Sequence, residues 1–299
     1  MLSKIYEKIK IFIKENYKFI LSLIAIVFLL TYELPYVVYT PGGIVNLEKR
    51  ISVKNGYDSK GSINMSYVTL RKGNIPSILL SYVIKDWDLL KESEVTGSDE
   101  SVDDLLKLEK LYMTSSIDNA TILAYKKANK KINIKKNINN VIYVSENAKT
   151  DISLYDIILS VDGKDINNIK ELQDYIKTKN EGDIVYFKVI SNKKEVDRKA
   201  EVININGELK VGIAFLTTYE YETDPSITVK TKSSESGSSG GLMLSLAIYN
   251  AITEEDITKG KTIVGTGTID VLGNVGKIDG VKYKILGAGK NKADLFIYP

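Results

Sequence analysis

Residues 233–252 read SSESGSSGGLMLSLAIYNAI. A loop of small and polar residues runs straight into an apolar segment of helix length. Leu242, Met243, Leu244, Leu246, Ala247, Ile248, Ala251 and Ile252 leave almost no polar face, so the segment reads as a buried helix. A flexible linker would share the composition of 233–241, but it would not feed a core helix. The join places Ser239 at the helix N-terminus, where unpaired backbone N–H groups can stabilise an oxyanion.

Two absences restrict what such a serine could do. The chain has no Cys and no His. That excludes a Ser-His-Asp triad, a thiolate nucleophile and a His- or Cys-ligated zinc. A serine nucleophile here needs a lysine as its base, and a lysine must be neutral to accept a proton. Burial favours the neutral amine. Residues 263–289, IVGTGTIDVLGNVGKIDGVKYKILGAG, offer Lys282 and Lys284 just after a Gly turn, leading into Ile285, Leu286 and Ala288. Two ordinary surface lysines on a helix remain the competing reading. Gly260-Lys261-Thr262 imitates the end of a phosphate loop, but the first glycine of that motif would fall on Glu255. No ATP site, cofactor or metal is expected.

The N-terminus has a different character. Lys4, Lys8, Lys10, Lys14 and Lys18 face only Glu7 and Glu15 in residues 1–18. Residues 19–32 (FILSLIAIVFLLTY) carry no charge, Glu33 interrupts, and 34–39 (LPYVVY) are apolar again. The uncharged run makes only about 21 Å of helix, which suits a signal-peptide core as well as a span. A retained anchor is favoured by three features. Lys14 and Lys18 can snorkel, Tyr32, Tyr36 and Tyr39 fit an interfacial belt, and no small-x-small cleavage site follows. The lysine excess then keeps residues 1–18 cytoplasmic and places residues from about 40 outside. A buried N-terminal helix is the alternative. Pro41-Gly42-Gly43 breaks the chain after the anchor.

Further along, residues 61–84 read as extended. Residues 88–104 read as an acidic loop, with Ser101 capping a helix over 102–128. That helix shows Val102, Leu105, Leu106, Met113, Ile117, Ala120, Ala124 and Ala128 on one face. The lysines of 126–136 read as a solvated face. From Val141 the pattern changes to short strands. VIYV, then Ile157-Ile158-Leu159-Ser160-Val161-Asp162-Gly163, a helix over 169–177, and IVYFKVI with Val185, Phe187 and Val189 alternating follow in order. Residues 139–204 resemble a PDZ domain, which implies capture of peptides by strand addition. Tyr155 stands where such domains usually have Gly, and no Gly-rich carboxylate-binding loop precedes VIYV.

A second resemblance is carried by two motifs. Ser236-Gly237-Ser238-Ser239-Gly240-Gly241-Leu242-Met243-Leu244-Ser245-Leu246 is followed by Gly265-Thr266-Gly267-Thr268-Ile269-Asp270 and by Gly273-Asn274-Val275-Gly276-Lys277-Ile278-Asp279-Gly280-Val281-Lys282-Tyr283-Lys284. Together they resemble the proteolytic domain of Lon-type serine proteases, in particular the membrane-anchored, PDZ-containing Lon-like proteases of Gram-positive bacteria. Met113-Thr114-Ser115-Ser116-Ile117-Asp118-Asn119-Ala120 resembles a helix of the same domain. The resemblance implies Ser239 as nucleophile, Lys284 as base with Lys282 as alternate, and Thr266 as a hydroxyl that holds the lysine. Backbone N–H groups around Gly237 and Ser238 to Ser239 would bind the oxyanion. Ser238, Gly240 and Asp279 replace the family's usual Pro, Ala and Gly, and the family usually continues beyond Pro299 with a further helix and strand.

The expected fold class is α+β: an N-terminal transmembrane helix and a Lon-type proteolytic α/β domain with an inserted PDZ-like β-rich domain. The expected boundaries are a cytoplasmic 1–18, an anchor 19–39, a first half of the Lon-type fold over 40–138, the PDZ-like domain 139–204, and the catalytic segment 205–299. The expected function is an ATP-independent, cell-membrane serine endopeptidase acting outside the cytoplasm on proteins or peptides, and Lon-type domains often form homo-oligomers. A catalytically impaired peptide-binding adaptor and a purely structural envelope protein are the alternatives. A net charge of +3, with Arg50, Arg71 and Arg198 the only arginines, argues against nucleic-acid binding.

Overall fold

The computed structural model describes residues 2–96 and 102–299; Ser101, the expected helix cap, lies outside the described residues. The chain begins with α1 (Leu2–Thr31), β1 (Glu33–Asn46), β2 (Ile51–Val53), β3 (Ser62–Asn74), α2 (Ile75–Val83), β4 (Asp88–Lys91), α3 (Glu92–Thr96) and α4 (Val102–Lys127). It continues with β5 (Lys131–Val144), β6 (Ile157–Val161), β7 (Lys164–Asp165), α5 (Ile169–Ile176), β8 (Ile184–Ser191), β9 (Lys194–Glu201), β10 (Ile203–Ile205), β11 (Glu208–Lys210) and β12 (Ile213–Asp224). It ends with β13 (Ile227–Val229), α6 (Gly241–Ile252), β14 (Thr262–Gly265), β15 (Thr268–Ile269), β16 (Val275–Gly276), α7 (Val281–Lys290) and β17 (Leu295–Ile297). Two compact units share it. One comprises Met1–Gly43, Tyr67–Leu105 and Gly280–Asn291; the other comprises Ile44–Ser66, Leu106–Asp279 and Lys292–Pro299.

In the first unit, the expected transmembrane anchor over 19–39 is overturned. Among the described residues no helix is long and apolar enough to cross a membrane. The reason lies at both ends of the apolar run. α1 stops at Thr31, so an 18-residue stretch ending there begins at Lys14 and takes in Glu15 and Lys18 as well. Residues 34–39, counted as the end of the anchor, belong instead to β1, where Val37 and Val38 are fully buried and Tyr36 to Tyr39 pair antiparallel with β4. A second correction concerns 75–83, expected extended but helical. Asn74 accepts from the Ser77 N–H at 3.0 Å, and its own N–H donates to Ser77 Oγ at 2.9 Å, a reciprocal cap with Pro76 in the first turn. The Asn74 amide also donates to the Leu30 carbonyl at 2.8 Å, fastening α2 to the end of α1. The acidic stretch expected as a loop contains β4 and α3.

The second unit has two apolar cores. One gathers Leu47, Ile63 and Met65 with Met113, Ala120 and Leu123 of α4, and with Met243, Leu244, Ala247, Ile248 and Ile252 of α6. β14 lies between β3 and β17, parallel to both. Segments before residue 131 and after residue 224 therefore share one core. Between them the chain makes an excursion along β5 and β12, which pair antiparallel from Lys131↔Asp224 to Val144↔Ile213. The lysines of 131–136, read as a solvated face, are the start of this ribbon. At its far end sits the second core, with Val141, Ile158, Val161, Leu172, Ile176, Val185, Phe187, Val189, Ala200 and Phe215. Val185, Phe187 and Val189 alternate inward as the period-two pattern requires. α5 is capped by Asn168, whose side chain accepts from the Glu171 N–H at 3.0 Å.

Candidate functional site

Ser239 sits in a bend just ahead of α6, two residues before its first residue, and is half-buried. Successive carbonyls hold this bend. The Ser238 carbonyl accepts from Ser116 Oγ at 3.0 Å and from the Gly241 N–H at 3.1 Å. The Ser239 carbonyl accepts from the Gly267 N–H at 2.8 Å and from Thr266 Oγ1 at 3.0 Å. Leu242 N–H returns to the Gly267 carbonyl at 3.0 Å. The 265–268 turn and the start of α6 are thus laced together, and the Ser239 backbone has little room to move.

Two hydrogen bonds involve residues singled out by the sequence. Thr266 is fully buried, and its hydroxyl donates to the Ser239 carbonyl. It holds the backbone of Ser239. Gly237 was expected among the oxyanion donors, but its N–H donates to the Glu109 carbonyl at 2.8 Å. Its φ of +92° lies where a side chain is strained, so glycine suits the turn. At Gly240 an added Cβ would lie 2.7 Å from Met65 Sδ.

Lys282 and Lys284 belong to α7 in the first unit. They differ sharply. Lys284 is 4% exposed. Lys282 is exposed and paired with Asp88 at 3.3 Å, and Tyr283 donates its hydroxyl to the same carboxylate. Burial, and after it that bond, pushes the Tyr283 hydroxyl well above the usual phenol range. Of the two lysines, only Lys284 has the burial that a neutral base needs. Asp279 is exposed, and the carboxylate that engages Lys282 is Asp88.

Sequence reading gave no individual role to the polar residues inside α4. Ser115, Ser116, Asp118 and Thr121 are all buried. Ser115 Oγ donates to the Thr217 carbonyl at 3.0 Å, one residue before Ser116 reaches the Ser239 bend. Asp118 Oδ2 accepts from the Tyr219 N–H at 2.9 Å. Burial raises the Asp118 carboxyl to about 6, and burial with the neighbouring Asp118 lifts the Tyr221 hydroxyl to about 12. The signal was present: short polar residues interrupt an apolar helix face between Met113 and Ala120.

The β-rich module has its own place for a ligand. Its sheet runs β12-β5-β6-β8-β9, with β7 beside β6. VIYV lies in β5, which has neighbours on both sides and cannot accept another strand. β12 is an outer strand, and α5 packs near it. The start of β12, after Gly212 at φ +72°, is therefore one edge that can take an extended segment. Tyr155, in the position usually glycine, adopts φ +68°. The left-handed backbone explains the usual glycine.

Residues 135–202 match the PDZ domain family. Solved structures similar to this region include the PDZ domain of an SdrC-like protein from Listeria monocytogenes, 20% identical, covering 28% of this chain and 93% of that one with a TM-score of 0.26. The PDZ domain of an SdrC-like protein from Listeria innocua is 26% identical, covering 26% and 92% with a TM-score of 0.24. A protein from Geobacillus thermodenitrificans is 22% identical, covering 24% and 90% with a TM-score of 0.23. No curated protein matches the chain. A PDZ domain is present. The expected fold class, with its membrane-spanning helix and Lon-type domain, is corrected accordingly: the fold that is shown is the PDZ domain, and among the described residues no helix is long and apolar enough to cross a membrane.

Proposed function

We propose that this chain binds extended peptide segments at the free edge of β12 and hydrolyses peptide bonds at Ser239. The PDZ domain supports the binding half. The observation that carries the hydrolytic half is the doubly held Ser238 and Ser239 carbonyls, which fix a half-buried serine at a helix N-terminus. Such fixing is what an attacking hydroxyl requires, because small misplacements of a reacting atom cost large factors in rate.

Ser239 Oγ attacks the scissile carbonyl carbon, and its proton passes to a neutral lysine amine, assigned from the sequence pattern to Lys284. The tetrahedral oxyanion is held by the Ser238 and Ser239 N–H groups. The bond to the departing nitrogen breaks as the lysine returns the proton to it. Water then adds to the acyl-serine carbonyl, giving one proton to the same amine; the bond from the acyl carbon to Ser239 Oγ breaks as the lysine passes that proton to Oγ, which releases the carboxylic acid and restores both the Ser239 hydroxyl and the neutral amine. Digestion of β-casein by the full chain, read by mass spectrometry, tests this. The Ser239→Ala and Lys284→Ala chains are expected to yield no fragments, with the Ser239→Ala chain keeping the circular dichroism and melting temperature of the parent. Equal cleavage by the Ser239→Ala chain would end the hydrolytic reading.

A second reading has one observation behind it. With Gly237 N–H taken by the Glu109 carbonyl, the oxyanion site has one donor fewer than expected. A peptide-binding adaptor without turnover fits that loss. It requires β-casein to bind the parent chain and remain intact.

A further inference from the structure

The β12 edge is open only in part, and α4 closes the rest. Thr217 and Tyr219 lie opposite Asn139 and Asn137 of β5, two residues apart on the strand. Along a strand, backbone groups of alternate residues point to the same side. The Thr217 carbonyl and the Tyr219 N–H both point away from β5, because Ser115 Oγ and Asp118 Oδ2 take them at 3.0 Å and 2.9 Å. Phe215 shares their alternation, without an intervening register shift. The stretch from Ile213 to the Thr217 N–H remains for strand addition, and beyond it the edge is occupied by side chains of a buried helix.

Resting on the proposed peptide binding, we propose that α4 is a stop that sets how far a bound peptide can pair along β12. An incoming segment that tried to pair past Thr217 would have to displace the Asp118 carboxylate from its N–H donor. That would take one of its hydrogen bonds from a buried anion, leaving it the Tyr221 hydroxyl, a costly exchange for one new hydrogen bond. The peptide therefore leaves the sheet at α4. The next residue after Ser115 is Ser116, whose hydroxyl secures the Ser238 carbonyl. One helical turn thus fixes both the point where a bound chain leaves the strand and the loop that carries Ser239. The partner is an unfolded polypeptide segment bound by its backbone, with side-chain preference confined to the few residues opposite 213–217.

Amide hydrogen exchange on the full chain tests the stop without needing turnover. The probe is β-casein, added to the Ser239→Ala chain. Exchange at Phe215 and Thr217 is expected to slow about tenfold or more, while Tyr219 and the residues after it are unchanged by the probe. Adding Asp118→Ala is expected to extend the probe-dependent slowing to Tyr219. Asp118→Asn, which keeps an acceptor for that N–H, is expected to restore the limit and guards against a merely unfolded α4. Probe-dependent slowing past Tyr219 with Asp118 intact would overturn the stop and leave peptide binding standing. No slowing at Phe215 or Thr217 would overturn the peptide-binding reading and the stop with it.

Discussion

The core around Phe187 in the PDZ domain and the core around Met243 beneath Ser239 are built from similar apolar residues, yet they support different kinds of site. Around Phe187, alternating strand residues fill the interior, and the working surface is a bare backbone edge. No side chain has to be aimed. Around Met243, hydroxyls are set into the helices and turns, and each donates to a named carbonyl: Ser116 to Ser238, Thr266 to Ser239, Ser245 to Leu242. A site made of backbone is specified by topology. A site of the kind proposed for Ser239, made around one side chain, is specified by buried hydrogen bonds, each of which is expensive to leave unmade.

Phe187→Ala separates the two cores most forcefully. It is expected to cost about 3–5 kcal/mol and to abolish exchange protection across β8 and β9 while α6 keeps its own. Simultaneous loss in both regions would show that the cores unfold as one body and weaken the contrast. Asp118→Asn comes next. Burial lifts the Asp118 carboxyl above its unfolded value, so the folded chain binds that proton more tightly. The carboxylate's burden is therefore greatest above pH 6 and fades as pH falls toward 4. The variant is expected to be more stable than the parent by about 2 kcal/mol at pH 7.5, allowing for partial solvation, with the gap closing by pH 4 in urea titrations. A gap independent of pH would mean that the carboxylate is not the cause.

Thr266→Val keeps the shape and deletes one donor to the Ser239 carbonyl. A loss of about 1 kcal/mol is expected, with β-casein turnover reduced about tenfold at unchanged KM if the hydroxyl positions the bend. A rise in KM alone would assign Thr266 to binding instead. Tyr155→Gly should have the smallest effect, a gain of about 0.5 kcal/mol from relieving the left-handed backbone after the lost side-chain contacts are subtracted. A loss in thermal stability would show that those contacts outweigh the strain.

Local signals carried much of this arrangement. The alternation of Val185, Phe187 and Val189, the helix over 169–177 and the buried helix after Ser239 were readable because period and composition agree there. The segment 75–83 was misread because a short apolar run does not distinguish strand from helix; a cap only three residues wide decided it. Residues 34–39 were misread because an apolar strand beside an apolar helix looks like one long span. The open edge of β12 could not be read at all, since being outermost is a property of the whole sheet. The engagement of Gly237 with Glu109 was hidden for a similar reason, being a backbone bond across 128 positions of sequence.

The long excursion between Lys131 and Asp224 also bears on synthesis. During translation the Phe187 core is complete once β12 begins to emerge, whereas the Met243 core still lacks α6. The PDZ domain can therefore fold while the ribosome is still making its neighbour. In doing so it draws residues 131 and 224 together along the ribbon. The later core then closes a short gap instead of a loop of nearly a hundred residues, which lowers the entropy lost on closure. The inserted domain would act as a built-in nucleus for the fold that surrounds it.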